Sequence, residues 1–412
     1  MHRAPTLRPA CQASPLRYAS RRAPAPSRRR PTPTRASAAE ATTTLLPLPT
    51  SRSAALDALA ALLAVADDPT RPPSEADAAE AQAVALARRC AGLGEGGSGD
   101  SSADGASTSS SEGDGPAPPP PGPSPPLFLR GFGRARQVPK RAYSLADLRL
   151  NKVEPGQLLS PEDKTLGGVR ATLRNGAAAL SALALALAHP TSPTPVVVAG
   201  TLLAFAWVAD AVGTGGAVAS LALDASARLL APSYARRVAA HEAGHFLIAY
   251  LVGLLPRGAT LSSAAAWSAE VRARGVLSAL TSITRPAAQA GTRVCDAGFR
   301  AEVARGKIRA GTVDAAVCVA LAGVTAEYLA FGSAEGGLDD VSQLDGLLRA
   351  LGFSQAKADA QIRWAVLNDA ALLRRFSGVH VALTDALARG AGVRECLGVI
   401  EGALDAMGDV EI

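Results

Sequence analysis

The spacing of apolar residues changes several times along the chain. Residues 52–67 (RSAALDALAALLAVAD) and 74–91 repeat apolar positions every three or four residues, which predicts a small helical segment within 45–93. Residues 94–142 read as a disordered linker. Their stretch GEGGSGDSSADGASTSSSEGDGPAPPPPGPSPP offers too little apolar surface to offset the entropy of ordering. Helical character resumes at Tyr143–Lys152 and continues through 143–233. Within it, 176–223 is the most apolar part of the chain, with GAAALSALALALA at 176–188 and PVVVAGTLLAFAWVA at 195–209. Each run is shorter than the roughly twenty residues of a spanning helix. Extending the second run to Leu223 carries Asp210 inward with it. The pair fits either a membrane hairpin or a buried or interfacial helical pair.

From Tyr234 the pattern predicts a compact helical domain over 234–412. One helix runs from Ala235 to Leu251 and stops near Gly253 and Pro256, and a second covers Val313 to Phe331. A third begins around Asp339, a fourth is opened by Ser354 as N-cap, and a last one lies near 392–406. The less regular 257–312 between the first two holds a short strand at Gly258–Ser262. The fold class is mainly α.

Composition supports this reading, because alanine is abundant and favours helix. The net charge of +6 is misplaced for nucleic-acid binding. Nine arginines and one acid, Glu40, fall in the first forty residues, and the remainder is close to neutral. Residues 1–44 are rich in Arg, Ser, Ala and Pro, and no apolar core follows the basic residues. They read as an organellar transit peptide, plastid first and mitochondrion as the alternative. The five cysteines form no CxxC pair and no even framework, which argues against a disulfide scaffold or a cysteine-based zinc site. Trp267, Phe299 and Trp364 read as core aromatics.

Candidate chemistry centres on His241-Glu242-Ala243-Gly244-His245. On a helix, positions i and i+4 lie one turn apart on one face, so both imidazoles can reach a single Zn²⁺. Glu242, beside the first ligand, is placed to act as general base on a water, and the small Ala243 and Gly244 allow another element to approach closely. The chain has five histidines: His2, His189, His241, His245 and His380. Only His380 remains as a further nitrogen ligand, so a carboxylate is the better third ligand.

HEAGH at the start of an apolar helix resembles the peptidase domain of the FtsH family. Pro256-Arg257-Gly258 resembles that family's PRG after the helix, and Gly323 to Gly332 (GVTAEYLAFG) resembles its GGRAAEELIFG segment, with Tyr328 in place of the second glutamate. Gly336-Gly337-Leu338-Asp339-Asp340-Val341 resembles the segment whose aspartate supplies the third zinc ligand. The resemblance thus implies metal ligands His241, His245 and Asp340, with Asp339 as fallback and Glu242 catalytic. Glu327 fits either an acid behind a ligand or a helix-capping or salt-bridging residue. More narrowly, the chain is similar to plant and algal plastid proteins that keep this peptidase domain without the ATPase.

The family's phosphate loop has no counterpart here. Among five lysines only Lys164 precedes Ser or Thr, and Ser160-Pro161-Glu162-Asp163 before it holds no glycine to cradle a phosphate. The stretch 264–307 reads as an insertion relative to the family. The expected function is a zinc-dependent endopeptidase acting on flexible or unfolded proteins, with a membrane, a partner ATPase or a second copy of the chain as further partners. The alternative is an assembly or stress factor that acts by binding.

Overall fold

Helix dominates the computed structural model, which describes residues 47–93, 127–188, 192–213, 217–274 and 291–408. These all belong to one unit, Leu45–Ile412. The transit-peptide reading of 1–44 and the low-complexity part of the linker lie outside the described residues.

The fold is built around α8 (Pro232–Val252), which carries the HEAGH motif. Proline is its first residue, and Gly253 closes it in the left-handed conformation at φ 87°. Every residue from Ala239 to Leu251 is buried, which explains why no polar stripe was visible in this segment. Its main partner is α11 (Ala310–Phe331), also largely buried. The two helices approach closely at Gly244, where a Cβ would stand 2.6 Å from Ala326 Cβ and 2.8 Å from the Ala322 carbonyl oxygen. Gly332 ends α11, and a short turn leads into α12 (Leu338–Ala350). Behind them, α13 (Gln355–Arg375) packs on α11, α14 (Ser377–Ala388) on α8, and α15 (Val393–Ala406) on α14. Ser354 caps α13 as expected. α14 was not anticipated, because the polar LLRRF end of α13 runs into it without a loop.

The only sheet among the described residues pairs β1 (Pro256–Thr260) with β2 (Gly291–Val294), antiparallel. The strand falls two residues earlier than the 258–262 read from sequence. Between the two strands lies α9 (Ser263–Arg274), and α10 (Ala297–Ala304) follows β2.

Two domain boundaries need correction. The helical pair α1 (Arg52–Ala66) and α2 (Pro73–Cys90) is part of the main core: Leu56, Leu59, Leu63, Leu86 and Cys90 share one buried cluster with Leu247 and Leu251. Arg257 in β1 reaches back to Asp67 at 2.6 Å and to the buried Glu80 at 2.7 Å. Residues 127–142 also run along the core rather than forming linker, anchored at 129–132. Leu129 and Phe132 are fully buried, and the N–H groups of Arg130 and Gly131 donate to Glu401 at 2.7 and 2.9 Å. Their apolar residues adjoin the polyproline run, whose composition masked them. Trp364 lies in the core, whereas Trp267 and Phe299 are only half-buried.

The short helices α3 (Leu145–Leu150) and α4 (Pro155–Leu158) lead into α5 (Lys164–Ala188), α6 (Thr194–Gly213) and α7 (Ala217–Leu230). α5 starts twelve residues before the apolar run read at 176–188. α6 has no buried residue; Leu202, Leu203, Phe205 and Trp207 are each more than 60% exposed. The apolar stretch of α6 is therefore not covered by the other described residues.

Candidate metal centre

His241 and His245 sit one turn apart on α8, and Asp340 comes to them from the first turn of α12. Their ligand atoms form a tight triangle. His241 Nε2 lies 2.9 Å from His245 Nε2 and 3.0 Å from Asp340 Oδ2, and His245 Nε2 lies 3.4 Å from the same oxygen. Atoms coordinating a tetrahedral ion at about 2.0–2.1 Å stand roughly 3.3 Å apart, so the triangle has the dimensions of a three-ligand face.

The far sides of the rings determine what the triangle requires. His245 Nδ1 donates to the Val319 carbonyl oxygen at 2.6 Å, and a carbonyl can only accept. His241 Nδ1 donates to Glu327 Oε1 at 2.8 Å. Glu327 is held as a carboxylate: burial opposes this, but the His241 hydrogen bond and charge and the backbone N–H groups of Glu335 and Gly336 lower its pKa. With both protons on Nδ1, two bare Nε2 lone pairs and a carboxylate oxygen converge on one point. That arrangement repels itself unless a cation or a shared proton fills it. Burial disfavours charge on His241, yet hydrogen bonds to Asp340 and Glu327 and the charge of Glu242 outweigh it and raise its pKa to about 10. Asp340 is driven well below the usual carboxylate range, its burial outweighed by its bonds to His241 and His245. Both shifts describe a pocket that holds positive charge.

Around the triangle, space is rationed. A Cβ on Gly323 of α11 would lie 2.3 Å from His241 Nε2 and 2.5 Å from His245 Nε2, so any side chain there would enter the metal position. Arg237, one turn before His241, pairs with Glu327 at 3.3 Å and with Glu335 at 3.2 Å. Glu335 also accepts from the Thr165 backbone N–H at 3.0 Å, so the start of α5 is tied to the turn before Asp340. Glu327 thus fills both roles left open for it, backing a histidine and pairing with an arginine.

Glu242, 5% exposed, accepts a hydrogen bond from Thr292 Oγ1 on β2 at 2.9 Å. His241, Glu242, His245 and Asp340 are thus assembled together. Asp339 is exposed and lies outside this group. His380 is not a ligand: its Nε2 donates to the Ala240 carbonyl at 2.8 Å, and burial lowers its pKa, which keeps it neutral. Tyr328 stands apart from the cluster; its hydroxyl accepts from the Glu154 N–H at 3.0 Å and donates to the Lys152 carbonyl at 3.3 Å. Sequence reading missed Arg237, Thr292 and Glu335. Arg237 was findable, four residues before His241 on the same helical face, but Thr292 lies fifty residues from Glu242 with no motif to mark it.

Compared with models of known protein families, with curated proteins and with solved structures, the chain shows no match, and the chemistry rests on the geometry of its own residues.

Proposed function

We propose that the protein is a zinc-dependent endopeptidase that cleaves flexible or unfolded protein segments. One observation carries this reading: two histidine lone pairs and the Asp340 oxygen converge on one point, and the buried Glu242 next to His241 on α8 is near enough for its charge to act on that ring. An N,N,O donor set of this kind, with one carboxylate and two imidazoles, suits Zn²⁺ in a catalytic rather than a closed structural site. Bound there, zinc supplies an acidified water and polarises the scissile carbonyl.

The remaining work falls to the chain. His241 and His245 are oriented by Glu327 and the Val319 carbonyl, so neither ring must reorganise during turnover. Glu242 takes the proton of the attacking water and returns it to the leaving amine nitrogen. With no phosphate loop in its own sequence, the chain acts on segments that are already extended, or on those delivered by a partner ATPase.

The exposed α6 supports attachment to a membrane. It is 20 residues long with mean hydropathy 1.9, about 30 Å at 1.5 Å per residue, the thickness of a bilayer's hydrocarbon layer. α11 is also long and apolar enough, but more than half of it is buried in the core. The basic N-terminal segment adds the expectation of a plastid location.

The test pairs zinc content with casein cleavage for the wild type and Glu242→Gln. Stoichiometric zinc in both proteins, with cleavage lost only in the variant, supports the peptidase. Zinc without cleavage in either protein favours the binding-factor reading, and absence of zinc overturns the metal site itself.

A further inference from the structure

We infer that Thr292 is a positioning residue for Glu242, and that β2 is attached to α8 through this one hydroxyl to aim the general base. The inference rests on the peptidase reading of the site.

The side chain of Thr292 has two acceptors in reach, both belonging to Glu242: carboxylate Oε2 at 2.9 Å and the main-chain oxygen at 3.1 Å. A hydroxyl has one proton to donate. When it goes to Oε2, that oxygen is fixed and the carboxylate plane with it. Oε1 has no hydrogen bond among the described residues and is left to take the proton of the attacking water. Burial at 5% exposure leaves Glu242 few other ways to be oriented.

The strand that carries Thr292 is itself tightly held. Successive side chains of a strand point to opposite faces, and here Thr292 faces α8 while Arg293 turns the other way. Arg293 pairs with both carboxylate oxygens of Asp67 at 3.1 Å. Asp67 also receives Arg257 from β1, and the buried Glu80 receives Arg257 and the backbone N–H of Ala297 just beyond β2. The Cys295 N–H donates to the Leu255 carbonyl at 2.8 Å, and Thr292 stands opposite Ala259 in the sheet register. The N-terminal helices therefore clamp the two strands so that the Thr292 hydroxyl meets Glu242. A slip of one residue would turn Thr292 away and bring a neighbour to its place.

The experiment uses the full chain with ¹³C-labelled glutamate, metal-free, at fixed pH. The Glu242 carboxylate resonance is identified by its disappearance in Glu242→Gln. Thr292→Val, which keeps the shape and removes the proton, shifts that resonance, and Thr292→Ser restores it. In the zinc-loaded proteins, Thr292→Val lowers kcat about tenfold with KM unchanged, a fraction of the loss expected for a general base, and Thr292→Ser recovers most of it. Melting temperature checks the fold, and Thr292→Ala replaces Thr292→Val if the latter does not fold. An unmoved resonance together with unchanged kcat overturns the proposal. A resonance that responds in a wild type that binds zinc but cleaves nothing keeps the contact and removes the peptidase reading alone.

Discussion

His241 is held between two acids that do different things. Asp340 shares the metal position with it, while Glu327 grips the opposite nitrogen and is itself fixed by Arg237 and two backbone N–H groups. Losing the charge of Glu327 should weaken the metal without touching a ligand. Glu327→Gln is expected to raise the zinc dissociation constant about 10- to 100-fold, read by competition with a chelating dye; an unchanged constant would show that the contact is incidental. A second expectation concerns protons. With a pKa near 10, His241 in the metal-free protein keeps its extra proton at pH 7.5, and zinc must displace it. Calorimetry in buffers of different ionisation enthalpy should find about one proton released per zinc at pH 7.5, and apparent affinity rising with pH until about 10. The stabilisation that this proton gives the metal-free fold is complete below the ordinary histidine value of about 6.5 and is lost as pH rises through about 10. At this scale His241, Glu242 and His245 were legible because helix geometry alone brings them together. Asp340 was legible only through the order of segments that resemble a known family, since nothing local links it to α8. Thr292 was not legible, because its contact depends on how a hairpin is clamped from elsewhere.

Helices carry their own buried cost. Asp369 on α13 is fully buried, and among the described residues its oxygens have no close hydrogen-bond partner beyond the weak donor of the nearby Cys318 thiol. Burial holds its carboxyl well above the usual range, so it stays neutral where an exposed aspartate would ionise. A folded-state pKa above the unfolded value of about 3.9 means that stability is greatest below that value and falls as pH rises through the folded one. Asp369→Leu should therefore stabilise the protein by about 1–3 kcal/mol at pH 7.5 and by less at pH 4.5. Thermal melting at the two pH values checks this; an equal gain at both would mean that packing rather than ionisation is responsible. Asn368, beside it, is bonded at both ends: Oδ1 accepts from the Val138 N–H at 3.0 Å, and Nδ2 donates to Cys318 Sγ at 3.5 Å. Most elements were legible because alanine- and leucine-rich periodic runs leave little choice but helix. The ordered stretch after residue 126 was hidden by its neighbours in sequence, although buried Leu129 and Phe132 and the bonds to Glu401 and Asn368 hold it.

For the whole molecule, the exposed apolar helix α6 sets the expected behaviour. Trp207 on α6 is 70% exposed, so it reports directly on what covers that helix. With half-buried Trp267 replaced by Phe, mixing the protein with lipid vesicles should move its emission to shorter wavelength, and lipids brominated on their acyl chains should quench it; Trp364 in the core gives a constant background. Quenching only by headgroup-labelled lipid would place α6 at the interface instead of across the bilayer. The mainly helical class was legible from composition and spacing. The unity of the core was not, because an N-terminal helical pair separated by a low-complexity run looks independent until its partners are known.

One of those partnerships reaches from one side of the fold to the other. Arg52, at the start of α1, contacts Asp405 and Glu401 on α15, and Glu401 holds the Arg130–Gly131 backbone and the Tyr250 hydroxyl at 2.7 Å. Tyr250 belongs to the same helix as the metal ligands. Among the described helices α15 follows the others in sequence, so a chain that has not yet reached it lacks the acid on which α1, the 127–133 segment and α8 all close. A core tied in this way closes over α8 only once α15 is in place, so α8 and its metal-binding face are organised by residues far from them in sequence.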